Sequence, residues 1–185
     1  DMGSSGLPVL LKYLISKSDL AYLLDVPLSK TTVPSYGYFL ETGETAWPEF
    51  WEGSVKSRIH TCYTGISSWF IKGVVGIRLS ENQPGYQKFI VKPTLDNDLT
   101  YAMAETESLY GKIKCHWEKK GEQVLLEAEI PPNTSAQIYL PTNHFNSIKE
   151  GVLILDKAKG INSIDLVSNH VVIEVESGKY SFLWE

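Results

Sequence analysis

The stretch from Ser29 to Arg58 gathers most of the side chains in this sequence that could do chemistry. Glu41, Glu44, Glu49 and Glu52 stand there with Trp47, Phe50 and Trp51. Aromatic surface beside a carboxylate strips away water and disfavours the charged form, which is how a carboxyl group is tuned for proton transfer. Glu49 has this setting, between Trp47 on one side and Phe50 and Trp51 on the other. His60 follows closely, and an imidazole both donates and accepts hydrogen bonds. Each residue also has a plain reading. Glu49 would be a surface glutamate, Trp47 and Trp51 core packing, His60 a satisfied structural histidine, and Glu41, Glu44 and Glu52 solvated carboxylates. Loops that hold this many aromatics and acids together are more often functional than decorative.

The elements that must position these residues are helical before and after the stretch. Leu7, Leu10, Leu11, Leu14 and Ile15 follow the spacing of one helix face. Ser4 is the expected N-cap, with Pro8 in the first turn. A second short helix is expected over Asp19 to Leu24, before Pro27. A third lies around Tyr36 to Leu40. A long one is expected from Ile59 to Val75, with Ile59, Cys62, Tyr63, Ile66, Phe70 and Val74 on one face and Trp69 in the core. Gly65, Gly73 and Gly76 are costly in or near a helix, unless backbones approach closely in a packed helical assembly.

From about residue 86 the period becomes two. Phe89 and Val91 alternate first. Ile113, Cys115 and Trp117 come next, then Val124, Leu126, Ala128 and Ile130, then Ala136, Ile138 and Leu140. Val152 to Leu155 and Val171 to Val175 read as further strands, and Tyr180, Phe182 and Trp184 close the chain. Lys120-Gly121 is a hairpin turn. Short strands separated by Pro, Gly, Asn and Ser argue for an antiparallel sandwich. The fold class is therefore α+β, helices first and strands second. A linker at Ser80 to Gly85 sets the expected domains at 1–85 and 86–185.

Composition bounds the rest. Apolar residues at 43% and charged residues at 21% describe a globular chain, and a net charge of −5 with no basic stripe excludes nucleic acid as the natural partner. The apolar runs are too short to span a bilayer. Cys62 and Cys115 lie in no CxxC or Cys/His cluster, so no metal site is expected; each is expected to be a buried free thiol, with a disulfide between them as the alternative. No GxGxxG or P-loop is present, and no cofactor is expected. His144 and His170 read as surface residues. Asn133-Thr134-Ser135 is a formal glycosylation sequon of low specificity. Asp1 is not a natural start residue and suggests a piece of a longer protein.

Four stretches together resemble the end of the α-L-rhamnosidases, a glycoside hydrolase family. Asp19-Leu20-Ala21-Tyr22, after the helix of Leu7 to Leu14, is similar to the family's Asp-Leu-Ala-Tyr element. Val33-Pro34-Ser35-Tyr36-Gly37-Tyr38 matches its Pro-Ser-Tyr-Gly-Tyr segment. Gly43 to Trp51 resembles its Gly-x-Thr-Thr-x-Trp-Glu-x-Trp stretch, with Pro48 added between Trp47 and Glu49. Ser57-Arg58-Ile59-His60 resembles its Ser-x-Asn-His helix, with Ile59 where Asn is usual. Gly85 to Pro93 and Tyr110 to Trp117 look like its crossing into a terminal sandwich.

The resemblance implies the terminal helices of an (α/α)6 toroid followed by an antiparallel β-sandwich. It implies a fragment of an enzyme that removes terminal α-L-rhamnosyl residues with inversion. Such an enzyme needs two carboxyl groups roughly 6.5 to 9.5 Å apart, one protonating the leaving oxygen and one activating water. By resemblance Glu49 is the general base, and Trp47, Trp51, His60 and Glu44 bind substrate, Glu44 being the alternative base. The general acid belongs to an upstream part of the same domain, so the chain alone is expected to be inactive. The implied partner is a rhamnose-containing glycan or glycoside, and a periplasmic or secreted setting is favoured over a cytoplasmic one. The competing readings are another hydrolase or lyase on a similar toroid, and a carbohydrate-binding or structural C-terminal module.

Overall fold

A computed structural model of the chain describes residues 5–17, 28–53, 56–58, 60–81, 83–95 and 99–185. The chain forms two compact units, residues 1–73 and 74–185.

In the first unit the described helices are α1 (Leu7–Ser16), α2 (Tyr36–Glu41) and α3 (Thr61–Trp69). Helix α1 buries Leu7, Leu11 and Leu14 along one stripe, as its periodicity requires. Its N-cap is Gly6, with no side-chain cap and Pro8 in the first turn. The expected cap, Ser4, lies outside the described residues, as does the helix expected over Asp19 to Leu24. Helix α3 starts at Thr61, with His60 as N-cap, and runs into a π-helical turn over Phe70–Val75. It buries Tyr63, Ile66 and Trp69, while Phe70 is 48% exposed. The inward face therefore passes through Trp69 and not through Phe70. A Cβ on Gly73 would lie 2.6 Å from the Trp69 ring, and one on Gly65 would touch Leu11 at 3.3 Å. The glycines make room for a packed ring and for the approach of α1.

The second unit is a β-sandwich of two sheets with eleven described strands. One sheet has the order β1 (Ile77–Leu79), β2 (Lys88–Val91), β6 (Ser135–Leu140), β10 (His170–Val175), β9 (Ile161–Val167). The other has the order β3 (Tyr101–Ser108), β4 (Gly111–Lys120), β5 (Gln123–Ile130), β11 (Gly178–Trp184), β7 (Lys149–Glu150), β8 (Leu153–Ile154). Their inward faces are the alternating apolar sets read from sequence. Ile113, Cys115, Trp117, Leu126, Ala128 and Ile130 are buried from one sheet, and Phe89, Val91, Ala136, Ile138 and Leu140 from the other.

Three features differ from expectation. The pairing of β2 with β6 is parallel, Lys88 opposite Ser135 through Val91 opposite Ile138, whereas the other pairings among the described residues are antiparallel. The chain leaves β2, builds β3 to β5 in the other sheet and returns, and such a crossover permits parallel pairing. The units divide between Gly73 and Val74, earlier than the linker at 80–85, because β1 already pairs with β2. A three-residue strand is too short for its period to show. The apolar run at Val152 to Leu155 is mostly outside: Val152 is 93% exposed at a turn, and only Leu155 is buried.

The start of this unit is anchored by β4. The last carbonyls of a helix lack intrahelical partners. Trp117 Nε1 donates to the Val74 carbonyl at 3.0 Å, and Cys115 Sγ lies 3.6 Å from that of Val75. Gly76 then turns the chain at φ +93° against the backbone of Lys92, where a Cβ would collide. No described helix is long and apolar enough to cross a membrane.

Candidate active site

The stretch rich in acids and aromatics is set up by α2. Ser35 caps that helix: its hydroxyl accepts from the Tyr38 N–H at 2.9 Å and donates to the Lys30 carbonyl. The C-terminus closes as a Schellman motif. Gly43 sits at φ +75°, its N–H donates to the Leu40 carbonyl, and the Glu44 N–H donates to the Phe39 carbonyl at 2.8 Å. This reversal starts the 44–53 loop, with Glu44 as its first residue after the Gly43 turn.

An aromatic cluster holds the loop. Trp51 is buried, stacked on Phe39 at 5.3 Å between centroids and edge-on to Tyr63 at 4.5 Å. Trp47 is half-buried, edge-on to Tyr36 at 5.2 Å. Edge-to-face pairs at such distances add to the burial of area. The Tyr36 hydroxyl donates to the Tyr63 carbonyl at 2.8 Å and so joins α2 to α3. Burial, and secondarily Tyr63, pushes the Tyr36 phenol well above its ordinary range, so it stays a donor.

His60 joins the loop through its backbone: its N–H donates to the Trp47 carbonyl at 2.8 Å. As N-cap of α3 it makes no side-chain cap bond, so the imidazole is not spent on the helix. Its Nδ1 is buried and has no hydrogen-bond partner. Buried polar groups are normally paired, so this atom needs an explanation. Glu44 is ion-paired with Arg58 at 3.5 Å. Glu49 is half-buried beside the buried Pro48, and among the described residues its carboxylate has neither a hydrogen-bond partner nor an ion-pair partner.

Of the residues singled out from sequence, Trp47, Trp51 and His60 therefore meet in one small region, with Glu49 on the loop between the two tryptophans. Trp51 faces into the packing, which matches its plain reading and leaves Trp47 as the half-open ring. Arg58 was not singled out. Its fourteen-residue separation from Glu44 carries no periodic pattern. Among the described residues no group of three or more His, Cys, Asp or Glu could hold a metal.

Two family models match in tandem: the bacterial α-L-rhamnosidase 6-hairpin glycosidase domain over residues 1–74, and the bacterial α-L-rhamnosidase C-terminal domain over residues 76–152. The chain belongs to the bacterial α-L-rhamnosidase family. An α-L-rhamnosidase of Formosa agariphila is 33% identical over 95% of this chain, and one of Streptomyces avermitilis 29% identical over 77%. The chain spans only 18% and 14% of the length of these relatives. Among solved structures, the Streptomyces avermitilis α-L-rhamnosidase complexed with L-rhamnose matches 99% of this chain with a TM-score of 0.81 and 26% identity, across 18% of its own length. The enzyme from Dictyoglumus thermophilum matches 85% with a TM-score of 0.75 and 29% identity. The first unit ends one residue before the match to the glycosidase domain does, and the second begins two residues before the match to the C-terminal domain.

Proposed function

We propose that this chain supplies the general base and part of the sugar-binding wall of an inverting glycoside hydrolase acting on terminal α-L-rhamnosyl residues. Its helices are the last of an (α/α)6 toroid whose earlier hairpins, with the general acid, lie in an upstream part of the same domain. Glu49 activates water. Trp47 offers its half-open ring to the apolar face of the sugar, and Trp51 supports the loop from behind. The His60 imidazole bonds a sugar hydroxyl, and Glu44, held by Arg58, accepts from another.

The observation that carries this reading is the hydrogen bond from the His60 N–H to the Trp47 carbonyl. It ties the loop bearing Glu49 to the start of the helix bearing His60, whose buried Nδ1 has no protein partner. A sugar hydroxyl answers that deficit, and a carboxylate on the tethered loop without a described partner suits base catalysis.

The test is the stereochemical course. The complete protein is given an α-L-rhamnoside, and the first-formed anomer is read by proton NMR. Inversion yields β-L-rhamnose first. Release of the α anomer first would rule out the single-displacement role of Glu49. The 185-residue chain by itself is expected to show no hydrolysis, and turnover by it would contradict the placement of the acid upstream.

A further inference from the structure

The five-stranded sheet ends at a polar cleft of about 420 Å³ that the candidate active site does not use. Gln83, Lys88, Asn133, Asn162, Glu174 and Glu176 line it. Two backbone irregularities bring amides there. Between β9 and β10 the register slips, Glu174 opposite Ser163 and then Val175 opposite Ile161, so Asn162 is the extra residue of a bulge. Bulges re-aim side chains and are frequent beside functional sites. Asn133 sits at φ +60°, in a turn closed by the Thr134 hydroxyl donating to the Pro131 carbonyl at 2.7 Å. Lys88 opens β2, in parallel register with Ser135 at the start of β6.

None of these six side chains is hydrogen-bonded or ion-paired within the described residues. Oε1 of Gln83 is fully buried without a partner. Such an acceptor calls for a donor, which a bound ligand hydroxyl or a water it displaces can supply. The remaining groups narrow the donor's chemistry. An anion would meet Glu174 and Glu176. A divalent cation would meet Lys88, and no cluster of three acidic or imidazole ligands is present among the described residues. An apolar ligand would leave every lining group unpaired. Amides that donate and accept, carboxylates that accept from adjacent hydroxyls and an ammonium that donates together match a neutral ligand dense in hydroxyl groups.

We propose that this cleft on the sandwich is a second saccharide site, which holds one neutral sugar residue through its hydroxyls. It does not depend on the assignment of Glu49, and its readout is binding rather than turnover. The 185-residue chain, ¹⁵N-labelled, is titrated separately with L-rhamnose and D-galactose. The expected result is saturable shifts at the backbone amides of Gln83, Lys88, Asn133, Asn162, Glu174 and Glu176 with at least one sugar. Glu174→Gln combined with Glu176→Gln weakens that binding about tenfold or more, from lost charge-assisted hydrogen bonds. Asn162→Ala weakens it independently, and Glu107→Gln on the other sheet leaves it unchanged. The proposal fails if neither sugar moves these amides at about 20 mM, well above a millimolar Kd. It fails equally if the shifts survive both cleft variants, or if calcium chloride alone saturates the same amides while the sugars do not.

Discussion

Replacing Trp51 by alanine separates a packing role from a sugar-stacking role. The ring is 8% exposed and lies between Phe39, stacked at 5.3 Å, and Tyr63, edge-on at 4.5 Å. Removing a buried aromatic costs about 3–5 kcal/mol through lost transfer energy and the cavity left behind. The two ring contacts are each worth about 0.5–1.5 kcal/mol beyond buried area, and part of that is already inside the truncation figure. A cost of about 4 kcal/mol follows for the first unit. With a urea dependence of about 2 kcal/mol per molar, the unfolding midpoint drops on the order of 2 M. Near-UV circular dichroism, which reports the Tyr36–Phe39–Trp51–Tyr63 cluster, follows the transition, and Trp51→Phe recovers part of the loss. A Trp51→Ala protein with an unchanged midpoint would refute the packing argument. Trp51 would then return to the position of a sugar platform.

Other outcomes follow from the second unit. Trp117→Phe removes the 3.0 Å hydrogen bond to the Val74 carbonyl and leaves a void at a fully buried position, at a cost of about 2–4 kcal/mol in thermal denaturation. Burial pushes the Cys115 thiol up to about 12 from its ordinary value near 9. The unfolded chain loses this proton first, so stability is full below pH 9 and declines from there towards pH 12, by about 1.4 kcal/mol per pH unit. Cys115→Ala flattens that decline. Under native conditions at pH 8 the half-exposed Cys62 reacts with a disulfide reagent and Cys115 does not, while denaturation exposes both.

The sandwich was legible where one face of a strand is fully buried. Ile113, Cys115 and Trp117 alternate with polar residues because their side chains enter the core while Lys114 faces water. Strand β3 was not legible, since no residue of it is fully buried and its half-buried positions include Ala102 and Ala104 beside exposed Tyr101 and Met103. Val152 misled in the opposite direction, because a short apolar run does not reveal that it crosses a hairpin turn. In the helical unit the apolar spacing of α1 sufficed. The π-helical turn after Trp69 carries no periodic sign, so Phe70 was expected inside. At the site, Glu49, Trp47 and His60 were singled out from residue type and family resemblance, and the structure joins the His60 N–H to the Trp47 carbonyl, while their roles stay a proposal. The pairing of Glu44 with Arg58 was not legible, because it rests on a loop closed by backbone hydrogen bonds that no residue pattern announces.

The most direct test of the central claim is hydrolysis of a chromogenic α-L-rhamnoside by the complete protein, wild type beside Glu49→Gln. The expected result is a fall in kcat of about 10²-fold or more with the fold intact, as removal of a catalytic acid–base group requires. An active wild type with an unimpaired Glu49→Gln variant would contradict the account and move the base to another carboxylate, with Glu44 the next to test.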